Sequence, residues 1–334
     1  MHFWALLWHV RMLSDQPIAL GVIGLVRVIP IVLFSLMGGA LADVVNRRTV
    51  MILTQSTMML IAILLGILTL LGSIHLFWIY LLTAAQAVAQ SFDLPARQAL
   101  VPNLVPARDM PNAFSLNSIA YQIGSILGPA LSGVTIATMD LQSTYLIYAV
   151  TYVFAILALG MIGKVEQNLG SRREGLRFAA IKEGVAFIWN RPIILSSMLL
   201  DFFATFFSSA NALMPIFARD ILHVGEVRYG WLAAAQAIRA TAAALVISQV
   251  NEVRRQGPIV LGSVALFGGA TVLFGMSRAF WLSMLALMLI GATDTISAII
   301  RNTISQIRTP DAIRGRMVSV NQIFFMGGPQ LGEI

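Results

Sequence analysis

Three carboxylates lie inside stretches of the sequence that are otherwise apolar, and each has polar neighbours at helical spacing. The three polar faces consist of Gln86, Gln90 and Asp93; Asp201, Thr205 and Ser208; and Asp294, Ser297 and Arg301. An ionisable group is costly in a membrane helix, so it usually faces a cavity or a partner. Because burial favours the neutral acid and a nearby arginine favours the carboxylate, we predict proton exchange at Asp201 or Asp294. The alternative interpretation places either acid at a wet helix end or in a fixed ion pair.

Two arginines, Arg27 and Arg239, also fall inside apolar stretches and therefore need partners. Asp201 or Asp294 could supply one, and the sequence does not decide the pairing. Metal or enzymatic chemistry has little support, because cysteine is absent and the four histidines have no ligand partner at useful spacing. We expect no metal, no other cofactor and no enzyme activity.

The elements that must position these side chains are membrane helices. Of the 334 residues, 58% are hydrophobic and 11% are charged, whereas a soluble domain carries about 25% charged residues. Runs long enough to cross a bilayer, roughly 20 apolar residues each, recur along the whole chain. The tryptophans and phenylalanines interleave with apolar residues, so a nucleic-acid surface is not expected. The lipid bilayer is the expected environment of a multi-pass, all-α membrane protein.

Eleven spans are predicted, in two halves joined by a polar linker. The first half is residues 1–163 and the second is residues 192–334, with the linker at 164–191 containing an amphipathic helix that lies in the membrane interface. The predicted spans are 2–12, 17–40, 49–72, 75–94, 111–138, 142–163, 192–218, 229–250, 257–276, 279–300 and 317–334.

Basic residues indicate the orientation. Of the 22 lysines and arginines, sixteen fall in one set of alternate loops and three in the opposite set. Because lysine and arginine collect on the cytoplasmic side, the loops predicted to be cytoplasmic are those at Arg47, Arg97, Arg172, Arg254 and Arg314. The same count assigns Arg301 to a cytoplasmic loop.

An internal repeat indicates that the halves are homologous. Six residues recur at a constant offset of 204 positions, as expected for parallel repeats related by an axis along the membrane normal. The pairs are Arg97 and Arg301, Pro106 and Pro310, Ser115 and Ser319, Asn117 and Asn321, Gly124 and Gly328, and Gly128 and Gly332.

The loop after the second span reads Gly-Gly-Ala-Leu-Ala-Asp-Val-Val-Asn-Arg-Arg from Gly38 to Arg48. It resembles the cytoplasmic loop signature of the major facilitator superfamily, with valine and asparagine as the departures. The resemblance implies a conformational gate in which Gly39, Asp43, Arg47 and Arg48 latch against the eleventh helix, whose positive N-terminal end suits the acid. The alternative is a basic loop that only sets topology.

The fifth span contains Gly124, Gly128, Pro129 and Gly133, a spacing that resembles the antiporter motif of the same superfamily, with Ser132 in place of one glycine. Small residues let helices approach closely, and a membrane proline frees a carbonyl and bends the helix, so we predict a hinge. Ordinary small-residue packing is the alternative.

Further segments resemble the branch that contains enterobactin exporters and secretion-effector permeases: 17–30, 95–100, 210–219 and 314–316. The resemblance implies a monomeric, proton-coupled exporter of siderophore-like or drug-like molecules in a bacterial inner membrane. It has two pseudo-symmetric six-helix halves, with helices one, four, seven and ten lining a cavity. By that comparison the chain lacks the start of helix one and all of helix twelve. An importer of the same fold and a non-transporting or sensor protein are the alternatives.

Overall fold

A computed structural model describes residues 1–163, 186–208, 211–248 and 256–307, together with Thr309, Gly328 and Gly332. All regular secondary structure in these ranges is helical. Most of the linker predicted to hold an interfacial helix, and most of the predicted span 317–334, lie outside the described residues. The chain divides into two compact units, Met1–Leu176 (unit 1) and Arg177–Ile334 (unit 2).

The described part of unit 1, residues 1–163, contains five helices and one short 3-10 turn, Ala107–Asp109. The helices are α1 (His2–Leu13), α2 (Pro17–Val44), α3 (Arg47–Leu70), α4 (Leu76–Leu104) and α5 (Met110–Met161). Pro17 begins α2, where the missing amide hydrogen costs nothing. Asn46 begins α3, because its side chain accepts hydrogen bonds from the backbone amides of Arg48 and Thr49. Gly72, with φ of 66°, supplies the left-handed residue that ends α3.

Helix α5 contains two of the predicted spans, which meet at a backbone break. Asp140 has φ of 67° and ψ of 171°, and it is the one non-helical residue inside α5. The hydroxyl of Thr144 donates to the hydroxyl of Thr135 at 3.0 Å, which is possible only if the chain doubles back between them. The two arms therefore correspond to the predicted spans 111–138 and 142–163.

Two helices of unit 1 extend past the predicted ends of their spans. Helix α2 continues through the glycine-rich segment to Val44, because Gly38 packs directly against α4, where an added Cβ would collide with the carbonyl oxygen of Ser91. Helix α4 continues through Pro95 to Leu104, so the predicted end at residue 94 and the assignment of Arg97 to a loop are wrong. Its last turns pack in a buried cluster with α3 and α5, and this packing offsets the hydrogen bond that the proline removes.

Four long helices lie in the described residues of unit 2: α6 (Pro192–Ser208), α7 (Glu226–Ser248), α8 (Gln256–Met276) and α9 (Phe280–Ile307). The predicted seventh span, 192–218, is not one regular helix. Turns at 211–213 lead into a short helical segment, Met214–Ile216, and a π-helical segment, Phe217–Ile221. Pro215 lies where the regular hydrogen-bond pattern changes, because proline has no amide hydrogen to donate.

Helix α9 extends past the predicted end of its span at residue 300 and packs against α7 and α8. The assignment of Arg301 to a loop is therefore wrong: it lies inside α9 and is 6% exposed. By length and apolar composition, five segments of the described chain could cross a membrane. They are Pro17–Ser35, Arg47–Leu70, Ser115–Met161, Gln256–Met276 and Phe280–Ser305.

Candidate functional site

Unit 2 holds a cluster of two acids and one arginine, of which Asp201 and Arg301 are buried and Asp294 is half-buried. Asp201 on α6 and Arg301 on α9 form an ion pair in which the arginine Nη2 donates to the carboxylate Oδ1. Both residues are buried, at 7% and 6% exposed. Asp294, two turns before Arg301 on α9, lies close enough to both to interact with them electrostatically. With all three groups ionised, this cluster carries one net negative charge.

Ser297 lies between Asp294 and Arg301 on α9 and is 2% exposed. Its hydroxyl has no hydrogen-bond partner among the residues that the structure describes. A void of about 10 Å³, lined by Asp201 and Arg301 among others, adjoins the ion pair. That volume holds about one water molecule, so the cluster leaves little room for anything larger than water or a proton.

The other polar residues of α6 bond to their own helix. Thr205 donates to the carbonyl of Asp201 at 2.8 Å, and Ser208 donates to the carbonyl of Ala204 at 2.7 Å. Such i−4 bonds satisfy a hydroxyl locally. The sequence correctly places these residues on the face of Asp201, but their hydroxyls do not bond the carboxylates.

The structure decides the pairing that the sequence left open for unit 2. Asp201 pairs with Arg301, one hundred residues away in sequence, rather than with Arg239. Arg239, on α7, donates to the thioether sulfur of Met288 at 3.4 Å.

The polar face of α4 divides between two environments. Asp93 is 3% exposed and turns towards α3, where it accepts hydrogen bonds from Thr54 at 3.0 Å and Gln55 at 3.4 Å. It also accepts a hydrogen bond from Arg97 at 2.7 Å, one turn later on α4. Asp93 is therefore held in a fixed ion pair within unit 1, whereas Gln86 and Gln90 line a cavity.

That cavity has a volume of about 180 Å³ and lies among helices α1, α2, α4 and α5. Arg27 contributes its guanidinium, which lies 4.3 Å from the ring centroid of Phe3. Sequence reasoning missed three polar members of the wall, namely His2, Thr83 and Tyr148. The signal was present at Thr83, which lies one turn before Gln86 on the same helical face.

The predicted gate residues have separate partners. Arg47 donates to the carbonyl of Ala99 at 3.1 Å and to the Asn103 side chain at 2.5 Å, near the end of α4. Arg48 donates to the carbonyls of Leu159 and Gly160 at 2.6 and 2.8 Å, at the end of α5. Cations suit helix C-termini, where carbonyls lack partners. Each arginine therefore fastens the start of α3 to the end of another helix of unit 1.

The two remaining gate residues are Gly39 and Asp43. No described atom lies within 4 Å of a Cβ built at Gly39. The side chain of Asp43 lies outside the described residues.

The predicted hinge lies in the first arm of α5. Pro129 and Gly133 are buried, and Gly124 has open space beside it. A Cβ built at Gly128 would lie 2.8 Å from the backbone nitrogen of Met1, so α1 approaches this arm closely. Pro129 keeps helical backbone angles.

Long apolar helices with buried charges between them define a polytopic membrane protein, and comparison with solved structures identifies its fold. A bacterial homologue of the human lysosomal transporter Spinster, inward-facing and unoccupied, matches over 99% of this chain and 78% of its own, with a TM-score of 0.74 and 14% identity. A mutant of the nucleoside transporter NupG matches over 99% of this chain and 85% of its own, with a TM-score of 0.75 and 12% identity. The predicted all-α major facilitator fold is confirmed.

The family follows from the sequence match. Residues 1–334 match the family described as transmembrane secretion effector, and the chain belongs to that family. The enterobactin exporter EntS of Citrobacter koseri is 28% identical over 282 residues, which are 84% of this chain and 67% of the relative. The predicted family resemblance is thereby confirmed, and the chain is a multi-pass membrane transporter for small molecules rather than an enzyme.

Proposed function

We propose that the protein exports small organic molecules by alternating access and that protons drive it through the cluster of Asp201, Arg301 and Asp294. The observation that carries the proposal is the ion pair between Asp201 on α6 and Arg301 on α9, with Asp294 beside it. The relative named as an enterobactin exporter supports the direction and the siderophore-like cargo.

The charge of the cluster explains why it would take up a proton. A buried charge without a counter-charge is strongly unfavourable, and two carboxylates share one guanidinium here. One bound proton makes the cluster neutral. A conformation that excludes water therefore favours the protonated form, whereas one that opens the cluster to water permits release.

The position of the cluster explains how protonation would change conformation. Asp201 belongs to α6 and both other members belong to α9, so the ion pair holds these two helices together. If Arg301 turns towards Asp294, the bond between the helices breaks. The acid that binds the proton loses its charge, so Arg301 pairs with the acid that stays ionised. Protonation therefore decides whether the ion pair between α6 and α9 is kept.

The test measures gradient-driven transport in liposomes that contain the purified protein, with enterobactin and ethidium as the first cargoes. We expect an inside-acid gradient to drive cargo into liposomes for the fraction of molecules whose cytoplasmic side faces outward. Asp201→Asn and Asp294→Asn, made separately, should lose this response while still exchanging cargo down its own gradient. Asp15→Asn is the matched control, because the Asp15 side chain is 92% exposed.

Unchanged coupling in both cluster variants would remove the cluster as the proton site. An importer would instead accumulate cargo in whole cells and not in everted vesicles under an inside-acid gradient.

The gate and hinge residues belong to the same proposal. Arg47 and Arg48 fasten α3 to the ends of α4 and α5, which supports a unit 1 that moves as one body while the segment around Gly39 and Asp43 forms the latch. The glycines and proline from Gly124 to Gly133 would supply the flexible contact.

We further propose that the protein is a monomer in the bacterial inner membrane, with the Arg47 loop in the cytoplasm. The excess of basic residues in one set of loops supports this orientation. Light scattering of the detergent-purified protein tests the monomer, and a mass of two chains would contradict it.

A further inference from the structure

The cavity in unit 1 has the size of a single substituted ring. Its volume is about 180 Å³, and a protein cavity of about 150 Å³ accommodates benzene. Part of its wall is flat: the rings of His2 and Tyr148 stack with centroids 5.0 Å apart, and Phe3 contributes a third ring. Flat aromatic walls suit a planar ligand, which can pack face to face or edge to face.

Two buried polar atoms in the wall have no hydrogen-bond partner among the described residues. They are Nδ1 of His2 and Oγ1 of Thr83, whose residues are 8% and 5% exposed. Buried polar groups in proteins are nearly always paired, and an unpaired one destabilises the fold. Both atoms belong to residues that line the cavity but are themselves closed off from water, so we infer that each side chain turns to pair with a polar atom of the ligand.

The charge of the wall favours an anion. Arg27 supplies a guanidinium and none of the lining residues is acidic. The ring of Phe3 under the guanidinium holds it in place. Gln86 and Gln90 add amide groups beside it. Arginine binds carboxylates with two parallel hydrogen bonds, which makes a carboxylate the best match for this wall.

We propose that this cavity binds a six-membered ring that carries a carboxylate, with the carboxylate at Arg27 and the ring packed against the aromatic side chains. The inference rests on the proposed function, because it assigns the chemical class of a cargo, or of one ring-sized part of a larger cargo. The hydroxyl of Thr83 donates to the ligand, and His2 pairs with a polar substituent on the ring.

Three isosteric probes test the charge preference. Near neutral pH benzoate is an anion, benzamide is neutral and benzamidine is a cation, while their shapes are nearly the same. Radiolabelled benzoate is bound to the bead-immobilised full chain in detergent, and the other two compete with it. We expect benzoate to bind about tenfold or more tightly than benzamide, since a hydrogen bond to a charged group contributes more than a neutral one. Benzamidine should compete least. Equal affinities, or tightest binding of benzamidine, would overturn the proposal.

Thr83→Val tests the unpaired hydroxyl. Valine has the same shape and needs no partner, so the ligand-free variant should melt at the same or a higher temperature, whereas its benzoate affinity should fall roughly fivefold to tenfold. A solely structural hydroxyl would give the reverse pattern, with a lower melting temperature and unchanged binding. Thr57→Val is the matched control, because the Thr57 hydroxyl is exposed and bonds the carbonyl of Leu53 at 2.9 Å.

Arg27→Gln and Arg27→Lys test the charge itself. The lysine variant should keep the preference for benzoate over benzamide, and the glutamine variant should lose it. If Arg27→Gln does not fold, the three probes and Thr83→Val still decide. These are equilibrium binding measurements, so their outcome does not depend on proton coupling. Coupled transport without benzoate binding would contradict this inference alone, and benzoate binding without coupled transport would contradict the proposed function alone.

Discussion

Replacing Arg301 by glutamine removes the guanidinium that Asp201 and Asp294 share. Asp201 is 7% exposed, so its carboxylate cannot recover its hydration without opening the contact between α6 and α9. The variant is left with two neighbouring acids, the buried Asp201 and the half-buried Asp294, and no counter-charge. Replacing Asp201 by asparagine is milder, because Arg301 still has Asp294 beside it.

The magnitudes follow from this arrangement. Breaking a buried ion pair by removing one partner costs about 3–5 kcal/mol, and Arg301→Gln should reach that range. Asp201→Asn should cost about 1–2 kcal/mol, close to the net value of one charge-assisted hydrogen bond. The two losses should not add: the double variant should be about 2 kcal/mol more stable than their sum predicts.

The free energy of unfolding can be measured in mixed micelles by raising the fraction of dodecyl sulfate and following tryptophan fluorescence. Arg228→Gln is the matched control in the same unit. Its guanidinium is exposed and lies 5.5 Å from the ring centroid of Phe280, an interaction that contributes at most about 1 kcal/mol. Two results would refute the reasoning: a cost for Arg301→Gln no larger than that of the control, or strict additivity of the pair. Either would mean that the arginine is solvated or pairs elsewhere.

Three further predictions concern unit 1 and the orientation of the chain. Gly38→Ala should lower the free energy of unfolding by about 1–3 kcal/mol, because its Cβ would meet a backbone carbonyl of α4, whereas Gly39→Ala should be neutral or slightly stabilising. Equal effects of the two substitutions in the same unfolding assay would contradict the packing of Gly38 on α4. Arg48→Ala should accelerate amide hydrogen exchange at the end of α5 and lower the free energy of unfolding by about 1–3 kcal/mol, since two helix-end carbonyls lose a charged donor. Unchanged exchange there would show that the hydrogen bonds of Arg48 do not stabilise this helix end. In this cysteine-free chain, a membrane-impermeant maleimide should label Ser73→Cys in intact cells but Asn190→Cys only after permeabilisation, because residue 190 is predicted to face the cytoplasm. The reverse labelling pattern would mean that the predicted orientation is inverted.

Much of the fold can be predicted from the sequence because the membrane imposes a strong local requirement. Each crossing needs a long apolar run, and α3 lies between two residues that favour helix ends, Asn46 before it and Gly72 after it. The boundaries that the sequence misplaced lie where one helix packs on another. Pro95 predicts a helix end, but α4 continues because its following turns are buried against α3 and α5.

The candidate site divides in the same way. Helical spacing identifies which residues share a face, so it places Ser297 and Arg301 beside Asp294. Spacing also groups Asp93 with Gln86, yet the structure turns Asp93 towards α3 and leaves Gln86 at the cavity. A face is wide enough to meet two neighbouring helices, and only packing decides which neighbour each side chain meets.

By itself, the sequence determined that this is an all-helical membrane protein of the transmembrane secretion effector family and which residues are polar within apolar spans. The tertiary structure decided that Asp201 pairs with Arg301 and not with Arg239, and that His2, Arg27, Thr83 and Tyr148 surround one cavity. The physical reason is that hydropathy and helical periodicity act within a single helix. Pairing across helices depends on how each helix is rotated and packed, and residues distant in sequence fix that arrangement together.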